Sequence, residues 1–188
     1  MKKAIILHGM PSRESYYDSS LPSQSNSHWL PWLQSQLLIN DILSQTPELP
    51  RPFEPVYAAW REVFEQFKVD EETILVGHSC GGGFLVRWLS EQQIKVGKVV
   101  LVAPWIDLEK ELTTGFFDFN IDPSLVEKTA GLTIFGSDDD NTRIQENVQA
   151  IRDQLPSAQY QEFHQYGHFT LSGMKTEKFP ELLAECLK

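Results

Sequence analysis

At 188 residues, with 41% hydrophobic and 22% charged side chains, 11 Phe and 5 Trp, the chain suits one domain over 1–188 with a sizeable core, which excludes a disordered or low-complexity polymer. Sixteen Lys+Arg against 26 Asp+Glu leave a net charge of −10, which repels phosphate backbones and excludes a general nucleic-acid binder. Two cysteines, Cys80 and Cys186, rule out a disulfide framework.

The apolar start Ala4–Leu7 reads as a buried strand. It breaks at His8-Gly9, too early for a signal peptide, and no run approaches the roughly 20 apolar residues of a membrane span, so a soluble cytoplasmic protein without membrane contact is expected. The polar segment Ser12–Ser27 reads as a long surface loop, of the kind that is functional or mobile. Trp29, Leu30, Trp32, Leu33 and Leu37 then supply an apolar helical face, with Pro31 in the first turn. Asp41–Gln45 is a weak strand, closed by the proline-punctuated Pro47–Pro52. Val56, Ala59, Trp60, Val63, Phe64 and Phe67 follow helical spacing and mark one buried face.

Thr73–Val76 reads as a strand, Gly82–Ser90 as a helix and Val99–Ala103 as a strand. Pro104–Ala130, carrying Trp105, Phe116, Phe117 and Phe119, is longer than a helical crossover needs, and its aromatics either line an apolar acyl pocket or belong to the core. Leu132–Phe135 is a strand, about 142–155 a helix, Gln159–Phe163 a sixth strand, and Phe179, Leu182, Leu183 and Leu187 mark a closing helix. Strands without polar alternation are buried on both faces, so the pattern predicts a doubly wound α/β sandwich with a mostly parallel sheet of about six strands. Ligands of such sheets bind beyond the carboxyl ends of the strands.

One such end carries Gly77-His78-Ser79-Cys80-Gly81, between the apolar Ile74–Val76 and a glycine-rich helix start. This is G-x-S-x-G in its required context of strand, sharp turn and helix, with glycines where neighbouring backbone leaves no room for a Cβ. Ser79 is the candidate nucleophile. Cys80 contributes its backbone N–H to an oxyanion hole, not its thiol. A second donor is expected after the first strand, where Gly9 allows a tight turn and the Met10 amide can face the site.

A serine hydroxyl needs a base. Five histidines compete, and the chain order Ser, acid, His leaves His164 and His168. His168 follows the last strand in the loop Tyr166-Gly167-His168-Phe169 and is the expected base; His164 stands at the strand's end. The spacing His164-x3-His168 does not suggest a metal, since Gly167 argues against a helix there and no H-E-x-x-H glutamate is present. The orienting acid is expected after Leu132–Phe135, among Asp138, Asp139 and Asp140. Composition does not choose between them.

These segments together resemble the small serine hydrolases typified by retinoblastoma-binding protein nine and its bacterial relatives, within the α/β-hydrolase superfamily. The resemblance runs through Leu7-His8-Gly9, His28-Trp29-Leu30-Pro31-Trp32-Leu33, Pro47–Pro52, the Ser79 motif, Gly136–Asp140 and Gly167-His168-Phe169. It implies an α/β-hydrolase-type three-layer sandwich and a triad of Ser79, Asp140 and His168, because the second Asp of a G-S-x-D-D pattern falls on Asp140. The sequence departs from the pattern at Arg143, where an apolar residue is usual, and at Gln145, and the Pro11–Asn26 insert is longer than many relatives carry. The expected activity is hydrolysis of a small carboxylic ester, or an amide, through an acyl-enzyme, without cofactor or metal. The alternatives are acyl transfer by the same residues and a protein-interaction module that retains the fold.

Overall fold

The computed structural model describes all residues, Met1–Lys188. Its strands are β1 (Lys3–Leu7), β2 (Leu43–Gln45), β3 (Thr73–His78), β4 (Val99–Val102), β5 (Leu132–Ser137) and β6 (Gln159–Phe163). All pair parallel, in the order β2-β1-β3-β4-β5-β6. Every residue of β3, β4 and β5 is buried, as a sheet covered on both faces requires. The helices are α1 (Arg13–Tyr17), α2 (Leu30–Ile39), α3 (Tyr57–Phe64), α4 (Cys80–Glu91), α5 (Thr142–Gln154), α6 (Leu171–Met174) and α7 (Pro180–Cys186). None is long and apolar enough to cross a membrane. The layered α/β sandwich read from the apolar pattern is the fold observed.

The chain enters at β1, steps outward to β2, then returns to β3 on the other side of β1 and proceeds to β6. Right-handed crossovers therefore place α2 on one face and α4 and α5 on the other. Helix α7 packs against α2. The direction of winding reverses between β1 and β3, and the crevice at their carboxyl ends is where open sheets of this kind take ligands. On the α2 face, Phe179 packs between Trp29 (ring centroids 5.8 Å) and Phe169 (5.6 Å, stacked). On the other, Trp60 meets Phe116 at 4.9 Å and Phe64 meets Phe84 at 5.4 Å.

The polar segment 12–27 departs from the loop expected there. It folds into α1 and a 3-10 turn over Gln24–Asn26. The Ser12 hydroxyl caps α1 by accepting from the Ser15 N–H at 3.1 Å, yet α1 buries no side chain. A helix without an apolar stripe leaves no periodicity to read. Boundaries shift elsewhere. The strand read over Asp41–Gln45 shortens to β2, the Val56–Phe67 helix shortens to α3, and the helix read from Gly82 begins at Cys80, directly after Ser79. In Pro104–Ala130, Trp105 and Phe116 are buried, and Phe116 joins the core on Trp60.

Candidate active site

Strand β3 ends at His78, and the next residue turns the chain sharply: Ser79 has φ +53° and ψ −119°, backbone that L residues adopt only under strain. The turn is tied down on both sides. Ser79 N–H donates to the Val102 carbonyl (2.9 Å), and its own carbonyl accepts from Gly83 (3.0 Å) and Trp105 (3.1 Å) N–H groups. A Cβ on Gly77 would lie 2.7 Å from the Gly81 carbonyl oxygen, and one on Gly81 would run into the His8 carbonyl. The flanking glycines are thus required by close approach of three backbones.

Ser79 Oγ lies 2.9 Å from His168 Nε2, and His168 Nδ1 lies 2.8 Å from Asp140 Oδ2. The Asp140 side chain is only 2% exposed. Its other oxygen accepts from the Asn141 N–H at 2.7 Å. The structure thus brings together Ser79, His168 and Asp140, the three residues expected from the sequence. The Met10 and Cys80 N–H groups have no acceptor within the protein, and Met10 lines the crevice beside Ser79. Burial, with Asp107 nearby, pushes the Cys80 thiol well above its ordinary range, so it is no thiolate nucleophile.

The other aspartates of the run have separate partners. Asp139 accepts from the Ser137 hydroxyl (2.6 Å) and the Gly167 N–H (2.9 Å), which hold its carboxyl below the usual range. Asp138 pairs with exposed His164 at 2.6 Å and raises that imidazole's pKa. The two departures from the family pattern also acquire partners. Gln145 donates to the Asp140 carbonyl (2.5 Å) and the Asp138 carbonyl (3.2 Å), bracing the acid-bearing loop. Arg143 stacks over the Trp105 ring at 5.1 Å and pairs with Glu109 (3.5 Å) and Glu111 (2.8 Å).

Three residues outside the expected triad hold the His168 loop: His78 and His28, which the sequence left without a role, and Trp29, read there only as part of an apolar helical face. His78 Nε2 donates to the His168 carbonyl at 2.8 Å. Trp29 Nε1 donates to the Phe169 carbonyl at 3.0 Å, and His28 Nδ1 accepts from the Leu171 N–H at 3.2 Å. The available signal was the His28-Trp29 dipeptide, part of the His28–Leu33 segment through which the resemblance runs, but it does not give their partners. His8 is satisfied in its neutral form, donating through Nδ1 to the Gly9 carbonyl (2.8 Å) and accepting through Nε2 from Leu49 N–H (2.9 Å), and burial lowers its pKa.

Two cavities flank Ser79. The larger, about 590 Å³, runs past His168, His28 and the 11–27 segment, and the smaller, about 240 Å³, lies against Trp105 and Ile144. Trp105 is thus the one aromatic of the Pro104–Ala130 segment that lines either of them, and its indole N–H has no partner.

A model of the serine hydrolase family matches residues 19–183. The chain belongs to that family. YdeN of Bacillus subtilis (strain 168) is 28% identical over 178 residues, covering 89% of this chain and 86% of that protein. The crystal structure of the ydeN gene product superimposes with a TM-score of 0.81 at 23% identity, over 98% of this chain and 96% of that one. Est1E from Butyrivibrio proteoclasticus, solved with ferulic acid bound, gives a TM-score of 0.65 at 14% identity, over 100% of this chain and 90% of that one, a likeness of fold. The serine hydrolase assignment makes this protein an enzyme, and its elbow, strained at Ser79, lies within the matched span.

Proposed function

We propose that this serine hydrolase cleaves small carboxylic esters through a triad of Ser79, His168 and Asp140. The observation that carries the reading is the unbroken chain of hydrogen bonds from Ser79 Oγ through both nitrogens of His168 to buried Asp140. Ser79 Oγ attacks the ester carbonyl as its proton passes to His168 Nε2, and Asp140 holds the imidazole in the tautomer that leaves Nε2 free to accept. Oxyanion charge develops where the unpartnered Met10 and Cys80 N–H groups stabilise it. The proton then goes to the leaving alkoxide. Water, activated by the same imidazole, hydrolyses the acyl-enzyme. No step calls on a cofactor or a metal.

Within the family, the His28–Leu33 and Gly167–Phe169 segments support a place beside the small hydrolases typified by retinoblastoma-binding protein nine. The reading treats the chain as a single catalytic domain acting on a small neutral substrate in the cytoplasm. A fluorophosphonate probe tests it. Labelling of Ser79 and turnover of p-nitrophenyl acetate are expected, and both vanish in a folded Ser79→Ala variant. Undiminished turnover in that variant defeats the triad, and added alcohol captured as a new ester in preference to water shows acyl transfer instead.

A further inference from the structure

We propose that His28 selects the substrate: its Nε2–H donates to an acceptor oxygen on an otherwise apolar, uncharged group of the ester that occupies the larger cavity. The inference rests on the ester-hydrolase reading above and narrows it to a substrate class, apolar esters that carry a second acceptor oxygen.

The larger cavity, about 590 Å³, is walled by Met10, Pro11, Leu21, Pro22 and Leu171. Most polar side chains along it are already engaged. Asn26 donates to the Ser23 and Ser25 hydroxyls (2.8 and 3.3 Å), the Ser27 hydroxyl donates to the Ser23 carbonyl (3.0 Å), and Thr170 Oγ1 accepts from the Gly173 N–H (3.3 Å). His8 uses both ring nitrogens on neighbouring backbone. No Lys or Arg lines the cavity, so an anionic group would meet no cation, and exposed Glu177 is its one carboxylate. Such a surface takes an apolar body and leaves specificity to a few placed polar atoms.

His28 supplies such an atom. Its Nδ1 accepts from the Leu171 N–H at 3.2 Å, which requires the neutral tautomer with the proton on Nε2. That Nε2–H has no acceptor within the protein. The buried side-chain atoms that lack a partner are Trp105 Nε1 and Glu181 Oε2, so Nε2 of half-buried His28 is open to the cavity that its ring lines. The ring is also held in place. His28 has φ +59°, left-handed backbone that a non-glycine residue adopts at a cost and that concentrates at functional sites. It stands edge-on to buried His78 with centroids 6.0 Å apart, and the next residue, Trp29, is wholly buried and tied to the Phe169 carbonyl. The Gln24 amide also lines the cavity without a hydrogen bond of its own. Its long side chain must give up rotamer freedom to hold a ligand, whereas the His28 ring is preorganised. Ser79 and His168 line the same cavity, so a group bound there belongs to the ester under attack.

The test compares esters that differ only by an oxo group. p-Nitrophenyl heptanoate is paired with the ketones that carry oxygen at carbon five or carbon six, and heptyl acetate with the same ketones on the alcohol side, so the pairs cover both halves of the ester. We expect kcat/KM to favour a ketone over its parent by about three- to tenfold in at least one pair, the scale of one hydrogen bond. His28→Asn puts an amide oxygen where Nδ1 stood, suits the left-handed backbone and carries no donor at the Nε2 position, so the preference should disappear. His28→Gln keeps a donor near the Nε2 position but loses the acceptor for Leu171 N–H. It should lower kcat on ketone and parent alike and retain their ratio; should it not fold, the ratios in the wild type and the Asn variant decide. Equal rates within every pair overturn the proposal, as does a preference that survives His28→Asn or vanishes with Gln24→Leu instead. A preference lost in both His28 variants reduces the residue to a brace of the loop and overturns its role as donor. A p-nitrophenyl ester with a terminal ammonium group that outpaces the ketones would give the cavity to cations beside Glu177 and overturn it too. Fluorophosphonate labelling separates the failures: a labelled Ser79 with equal rates sinks the role of His28 alone, and an unlabelled Ser79 sinks the hydrolase reading with it.

Discussion

His78, the residue before Ser79, donates its Nε2–H to the backbone carbonyl of His168 at 2.8 Å, 90 residues further along the chain. This bond runs parallel to the contact between Ser79 and the His168 imidazole, so the end of β3 carries both the proposed nucleophile and a support for its base. His78 is fully buried and its ring centroid lies 5.0 Å from that of His168. Removing the donor loosens the loop that aims Nε2. We expect His78→Leu to lower kcat by about 10²-fold, the scale of a misplacement of about 1 Å, with a smaller change in KM. His78→Gln, which retains a donor, should recover part of the loss. Equal kcat in the Leu variant and the wild type would show that the bond does not position the base.

Among the three adjacent aspartates, only Asp140 reaches His168. Asp140→Asn reverses the hydrogen bond that sets the tautomer, and kcat should fall by about 10⁴-fold, as in the triad template. Asp139→Asn retains an oxygen to accept from Ser137 and Gly167, so its loss should be much smaller. Steady-state kinetics of the two variants decide the matter. The reverse ranking would move the acid to Asp139.

The strain at Ser79 gives a stability prediction independent of activity. A non-glycine residue at φ +53° is held there against a cost of about 1–3 kcal/mol, and Ser79→Ala keeps that cost. Ser79→Gly relieves it, offset by about 0.5–1 kcal/mol of added chain entropy. Both variants are inactive in this reading, but urea denaturation should find the glycine variant the more stable. If the alanine variant proves equal or better, the turn is not strained.

Much of this arrangement was legible because it is local. The apolar run before Gly77 and the glycines after Ser79 announce strand, elbow and helix within ten residues; chain order then leaves His164 and His168, and the loop setting after the last strand favours His168. The choice within Asp138–Asp140 was not legible from composition, because it depends on which carboxylate the turn after β5 directs toward which partner: His164, Gly167 or His168. The resemblance pointed to Asp140, and the geometry joins the same residue to His168. The work of Trp29 and His28 was hidden for a different reason. Their partners, Phe169 and Leu171, lie 140 and 143 residues away, and no local pattern encodes such a contact. Helix α1 was hidden because it buries nothing, and its neighbours Pro11, Leu21 and Pro22 nevertheless wall the larger cavity.

The closing helix α7 carries a buried carboxylate on which part of the stability depends. Glu185 is 2% exposed and accepts from Lys98 Nζ (2.9 Å), the Thr133 hydroxyl (2.7 Å) and Lys188 Nζ (2.5 Å). Burial alone would raise its pKa; the three donors outweigh burial and bring it from 4.5 to about 2. The folded state therefore holds its proton less tightly than the unfolded chain does. Its contribution is complete above the unfolded value near 4.5 and is lost as pH falls toward 2. Glu185→Leu should destabilise the protein by about 3 kcal/mol at pH 7, since it leaves Lys98 partly buried without a partner. The difference from wild type should shrink below pH 4.5. A difference that stays constant down to pH 3 would remove the ion pair as its source.

Activity and stability respond to different histidines along the pH axis. His78 is pushed well below its ordinary pKa of 6.5, first by burial and then by His168 and His28; burial, then His168, lowers His28 as well. Hydrogen bonding agrees, because His28 Nδ1 must keep its lone pair to accept from Leu171 N–H. Both rings thus stay neutral while His168 accepts and returns its proton. The acid limb of log kcat/KM against pH should therefore rise with a slope of one, reporting one ionisation although three imidazoles cluster at the site. Stability behaves differently. His8, His28 and His78 are neutral when folded and take up protons at about 6.5 once unfolded, so the unfolded state binds more protons as pH drops. The free energy of unfolding should begin to fall below about pH 6.5, and His8→Gln should flatten that fall by removing one of the three groups. Urea denaturation from pH 8 to 5 measures the second effect and a pH–rate profile with p-nitrophenyl acetate the first. An acid limb with a slope of two would mean that His28 or His78 titrates with the base, and the neutral-imidazole account of the loop would fall.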